Sequence, residues 1–123
     1  MNYTDLYEEF KKEIPAGEVF YQAKERENKI DETDGVHIVF GLVVVPYIFD
    51  CIDNQKEVEA REIFSFLERM AICEETKISE VLDFTVLERI VDEGQEMLNK
   101  CKAYMGEETL KHCDAVEKYF LLG

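Results

Sequence analysis

The stretch from Val36 to Phe49 constrains the fold more than any other part of the chain. Its fourteen residues are apolar except where His37, Gly41 and Pro46 interrupt them. A bilayer-spanning helix needs about 20 apolar residues, so the run reads as core material and not as a membrane anchor. The β-branched residues Ile38, Val39, Val43, Val44 and Val45 would suit a strand. Strands are typically about five or six residues long, however, and a lone glycine makes a poor hairpin turn. Residues 36–52 therefore read as a central helix buried on nearly all sides, with Pro46 kinking it or opening a new first turn. The alternative is a short two-stranded element around Gly41.

The flanking sequence gives that helix partners. Tyr3, Leu6, Tyr7, Phe10 and Ile14 fall on one helical face, which Pro15 and Gly17 end. A shorter helix follows with Ala16, Val19, Phe20 and Ala23 on its apolar side, and 28–35 reads as a loop rich in turn residues. Asn54 and Glu57 have the spacing of a capping box ahead of Ala60, Ile63, Phe64, Leu67, Met70 and Ala71. Thr76 is placed to cap a helix carrying Ile78, Val81, Leu82, Val86 and Ile90. Phe84, Leu87 and Val91 add a second stripe, which predicts that this helix is sandwiched between neighbours. Met97, Leu98, Cys101, Tyr104 and Met105 mark a sixth helix, with Gly106 as its left-handed terminator. A last helix starts at Glu107, with Leu110, Cys113, Val116 and Phe120 facing inward. Two prolines and six glycines leave too few turn signals for a many-stranded sandwich. The expected fold is all-α: one domain over residues 1–123, with six to seven helices in an irregular antiparallel, HEAT-like stack or bundle.

Chemistry is harder to find. Cys51, Cys73, Cys101 and Cys113 form no C-x-x-C pair and, with no export signal at Met1–Phe10, read as reduced, buried thiols of a cytoplasmic protein. His112 and Cys113 are adjacent, so on a helix their side chains diverge by about 100° and do not make a zinc pair. His37 reads as a helix-start or core histidine with a satisfied hydrogen bond. Residues 28–35 lack the ligand order of a calcium loop, and no glycine-rich phosphate loop occurs. No metal, no cofactor and no enzyme activity is expected.

Charge is what remains. Fourteen Lys and Arg stand against 28 Asp and Glu, a net −14. That balance argues against direct nucleic-acid or anionic-membrane binding, each of which requires a basic face. The surplus is spread over the chain: ten acids to five bases in residues 1–35, six to three in 36–73, twelve to six in 74–123. It therefore decorates folded helices, and its magnitude exceeds the roughly 2–8 that solubility needs. Such a field speeds encounter with a basic protein partner.

Several segments carry a resemblance. His37-Ile38-Val39-Phe40-Gly41 followed by Pro46-Tyr47, the stretch Ile63-Phe64-Ser65-Phe66-Leu67-Glu68-Arg69-Met70, Val86-Leu87-Glu88, and Tyr104-Met105-Gly106-Glu107-Glu108-Thr109 are similar to a family of small helical bacterial proteins. That family resembles the acidic immunity proteins of contact-dependent growth inhibition and other polymorphic toxin systems. The resemblance covers about residues 36–120. It implies an irregular helical stack that binds and neutralises a cognate toxin. The expected function is thus an immunity protein that blocks a basic toxin domain, with nucleases the foremost targets, by electrostatic occlusion. Asp31, Glu32 and Asp34 in the loop, with the interhelix pairs Glu74-Glu75 and Asp92-Glu93, are the expected toxin-binding residues, because loop and helix-start acids project freely. The alternative is a small helical adaptor that binds a peptide or helix of a partner and displays an apolar patch beside its acids.

Overall fold

The computed structural model describes residues 1–122. Those residues form seven helices packed against one another and no strand, as the helical periodicity predicts. They are α1 (Leu6–Glu13), α2 (Glu18–Glu27), α3 (Val36–Asp53), α4 (Glu57–Ile72), α5 (residues 76–93), α6 (Gln95–Lys102) and α7 (Glu107–Leu122). A single 3₁₀ turn, Pro15–Gly17, joins α1 to α2.

The central run is helical throughout. Pro46 has no N–H to give, so a regular ladder cannot continue into it. The helix widens into a π turn over Phe40–Val44, where the Val45 N–H returns to the Phe40 carbonyl five residues back. Pro46 then sits in the first turn of the segment that follows, and α3 passes it unbroken. By length and composition α3 could cross a membrane, but 56% of it is buried inside the protein. It packs against α1, α2, α4, α5 and α6, with Phe40, Val43, Val44, Val45 and Ile48 fully covered. A second π turn, Leu82–Leu87, lies in α5 against the first. His37 Nδ1 and Thr85 Oγ1 meet there at 2.6 Å, the satisfied histidine that the sequence predicts.

Several sequence expectations are corrected by tertiary contacts. The first helix begins at Leu6 and not at Tyr3, which lies in the preceding turn. In α2 the buried anchor is Tyr21, while Val19 is 81% exposed. Tyr21 reaches back under Pro15–Gly17, where its hydroxyl donates to the Ile14 carbonyl at 2.7 Å. A Cβ on Gly17 would run into the Tyr21 ring. Gly17→Ala is therefore expected to lower stability by about 1–3 kcal/mol, the range for overpacking, and an unchanged melting temperature would refute this close approach.

Asn54 caps no helix start. Its amide donates to the Asp50 carbonyl and carboxylate, closing α3. Gln55 is left-handed (φ 54°), and the Lys56 N–H returns to the Cys51 carbonyl at 2.9 Å, so α4 starts at Glu57, two residues later than the capping box implies. Thr76 is likewise the first helical residue of α5, with Glu75 in the cap position. Phe84 does not lie between neighbours: it is 64% exposed, although Leu87 is buried and Val91 partly so. Among the described side chains of α7, Thr109 and Cys113 are fully covered, while Leu110 and Phe120 sit at the rim.

Gly106 is not a left-handed terminator, and Gly94, with φ 120°, is the only described glycine that needs a positive φ. Gly106 serves a different purpose. A Cβ there would lie 2.5 Å from Glu68 Cδ. The missing side chain lets the Glu68 carboxylate of α4 cover the start of α7, where it accepts from the Glu108 N–H (3.0 Å), the Thr109 N–H (2.8 Å) and the Thr109 hydroxyl (2.7 Å). Helix α7 is thus capped from outside its own sequence.

Candidate functional site

Helices α1 and α2 and the 28–35 loop enclose a cleft of 380 Å³. Helix α2 ends in a left-handed Lys29 (φ 54°), with the Ile30 N–H bonded to the Glu25 carbonyl at 2.8 Å, which turns the chain sharply into the loop. The loop is fixed by its own acids. Asp31 Oδ1 accepts from the Thr33 N–H (2.8 Å) and hydroxyl (2.5 Å), and Asp34 Oδ2 accepts from the Asp31 N–H (2.9 Å). The Thr33 hydroxyl and N–H hold the Asp31 carboxyl below its usual range.

The floor of the cleft is a polar network. The Tyr7 hydroxyl donates to Glu25 Oε2 at 2.5 Å, and Lys11 Nζ lies 3.3 Å from the same oxygen and 3.2 Å from Glu8 Oε1. Burial, then the hydrogen bond to Glu25, pushes the Tyr7 phenol far up, so it stays a donor at any physiological pH. Burial alone would lower the Lys11 ammonium, but the hydrogen bonds to Glu8 and Glu25 outweigh it and raise the group. Lys11 is thereby occupied with Glu8 and Glu25. Asp31, Glu32 and Asp34 line the same cleft with no cation within 4 Å among the described residues. Chemically, carboxylates so placed can accept hydrogen bonds from an ammonium or guanidinium group.

The seven acids expected from sequence do not form one patch. Asp31, Glu32 and Asp34 converge in the cleft. Glu74 and Glu75 precede α5, near Tyr3, whose ring lies 5.6 Å from Lys77 Nζ. Asp92 and Glu93 close α5, about 27 Å away along an 18-residue helix. What the seven share is freedom: none is in an ion pair among the described residues. Sequence reasoning missed Tyr7, Glu8, Lys11 and Glu25 as cleft residues. Tyr7 reads as core and Glu25 as solvent-facing, and no local signal links two residues eighteen apart.

A second feature lies where α5 and α7 bound an apolar trough of 210 Å³. Phe84, Ala115, Val116 and Tyr119 form its walls, and His112 Nδ1 meets Asp83 Oδ1 across it at 2.7 Å. Among the cysteines, burial pushes the thiols of Cys51 and Cys113 up to about 11 and that of Cys101 to about 12, so none of the three is a thiolate at neutral pH. Among the described residues, no three His, Cys, Asp or Glu side chains converge as metal ligands.

Fold and site together define a small, acidic, all-α protein with a carboxylate-lined cleft. Residues 7–120 match the family described as "Domain of unknown function (DUF7674)", and the chain belongs to that family. No curated protein and no solved structure matches the chain.

Proposed function

We propose that this protein is an immunity protein, a stoichiometric and non-catalytic inhibitor that binds and neutralises a basic toxin domain, with a nuclease as the foremost target. The observation that supports it best is the cleft. Asp31 and Asp34 are pinned in place by the loop's own hydrogen bonds, and they and Glu32 have no cation within 4 Å among the described residues, in a chain of net charge −14. Pre-set carboxylates of this kind can occupy a surface built to hold phosphates while losing little conformational freedom on binding. The resemblance of residues 36–120 to a family of small helical bacterial proteins, itself similar to acidic immunity proteins, points the same way.

The reading expects a large secreted protein with a basic C-terminal domain to be encoded immediately upstream, and the test uses that domain. Co-expression with that domain should protect cells. The triple variant Asp31→Asn, Glu32→Gln, Asp34→Asn keeps acceptor oxygens in the loop and should slow association by about tenfold. Absence of protection by the unmodified chain would remove the reading.

A second reading, a helical adaptor that holds a peptide or helix of a partner, draws support from the trough between α5 and α7. Phe84 is 64% and Tyr119 73% exposed there, a large aromatic surface for a chain whose core is otherwise closed.

A further inference from the structure

We infer that the trough between α5 and α7 is a docking site for a cationic amphipathic helix that presents an apolar anchor. This rests on the adaptor reading and is independent of the inhibitor reading.

The trough is apolar at its base and acidic along one edge. Phe84 and Glu88 of α5 line it, facing Val116 and Tyr119 of α7. Glu80 lies one turn before Phe84 and Asp92 one turn after Glu88, so Glu80, Phe84, Glu88 and Asp92 share the outer face of α5. Neither Glu80, Glu88 nor Asp92 has an ion-pair partner among the described residues. Asp83, by contrast, is bound to His112. On the α7 side, Lys111 is held by Glu107 and Glu108, and Lys118 by Asp114. The unbalanced charge at the trough is therefore negative.

That asymmetry selects the occupant. A second copy would bring another −14 chain against the same acidic edge, which disfavours self-association. An extended strand has no sheet edge to join among the described residues. A helix laid between α5 and α7 would pack as a third ridge, seat an apolar side chain between Phe84 and Tyr119, and place Lys or Arg over Glu80, Glu88 and Asp92.

The chain has no tryptophan, so a tryptophan in a peptide probe reports binding without background. The probe is a helical peptide of about 18 residues (about 27 Å) with Leu and one Trp on one face and Lys on the other. A second peptide carries Gln in place of Lys. The lysine peptide should bind the intact protein with a blue-shifted emission. Phe84→Ala and Tyr119→Ala should each weaken it about tenfold, because both remove an exposed aromatic wall and leave the core untouched. Glu80→Gln with Glu88→Gln should weaken it at low salt and lose this effect at high salt. Equal binding of the glutamine peptide at the trough would overturn the cationic occupant while the adaptor reading stands. Binding of the lysine peptide that Phe84→Ala and Tyr119→Ala leave unchanged would be general attraction to an acidic protein, and would overturn both. A concentration-dependent dimer lost in Phe84→Ala would replace the partner helix with a second copy and overturn the inference.

Discussion

Phe10→Ala is expected to cost about 4 kcal/mol of folding stability, close to the whole reserve of a small domain at the lower end of the usual range, about 5–15 kcal/mol. Phe10 is fully buried, and its ring meets Tyr21 of α2 (5.8 Å between centroids), Phe40 of α3 (6.0 Å) and Phe66 of α4 (5.3 Å, near-perpendicular). One side chain thus ties α1 to three other helices. Edge-to-face contacts add to its area burial, and a cavity surrounded by three rigid rings collapses poorly. Urea unfolding followed by circular dichroism should show a large fall in midpoint with an unchanged slope. Val19→Ala, at the exposed position of α2, should change stability by less than about 0.5 kcal/mol. Similar losses from the two variants would mean that the aromatic cluster does not hold the N-terminal helices.

The second large effect is expected from Glu68→Ala, at about 3 kcal/mol. The carboxylate accepts two backbone N–H groups and the hydroxyl of Thr109, which is fully buried. Removing it leaves those donors without an acceptor at the start of α7 and removes a negative charge from the helix's positive end. Its effect should depend on pH. Burial works against the charged form of Glu68, but the hydrogen bonds from Thr109 and Glu108 overcome it and hold the carboxyl below its ordinary value of 4.5. A carboxyl depressed in the folded state adds stability that is complete above its unfolded value and fades as pH falls through the folded one. The gap in melting temperature between the unmodified protein and Glu68→Ala should be widest at neutral pH and should close below pH 4.5. A gap that stays constant down to strongly acidic pH would show that packing, and not the charged cap, joins α7 to α4.

Long periodic stripes were legible in the sequence, and so was the helical nature of α3. The apolar positions of α4, from Ala60 to Met70, are all buried because sixteen residues sample the helical period several times. Short elements were less readable. Helix α2 has ten residues, and its orientation is set by Tyr21 packing beneath Gly17, so Phe20 packs against the core as its spacing suggests while Val19 turns to solvent. Phe84 misled because two apolar stripes on one helix look alike whether a neighbour covers the second or leaves it bare. The loop acids were legible as projecting groups, whereas the cleft behind them depends on Tyr7 and Lys11 meeting Glu25, a contact between helices that no spacing encodes.

We propose that the acidic surface of the 28–35 loop engages a basic protein. The decisive measurement is the association rate between the purified protein and the basic toxin domain that this reading expects to be encoded upstream, measured from about 25 to about 300 mM salt. A fall of at least about tenfold is expected across that range, with the Asp31→Asn, Glu32→Gln, Asp34→Asn variant slower and less salt-dependent. A rate that stays flat with salt, and is unchanged in the variant, would contradict it.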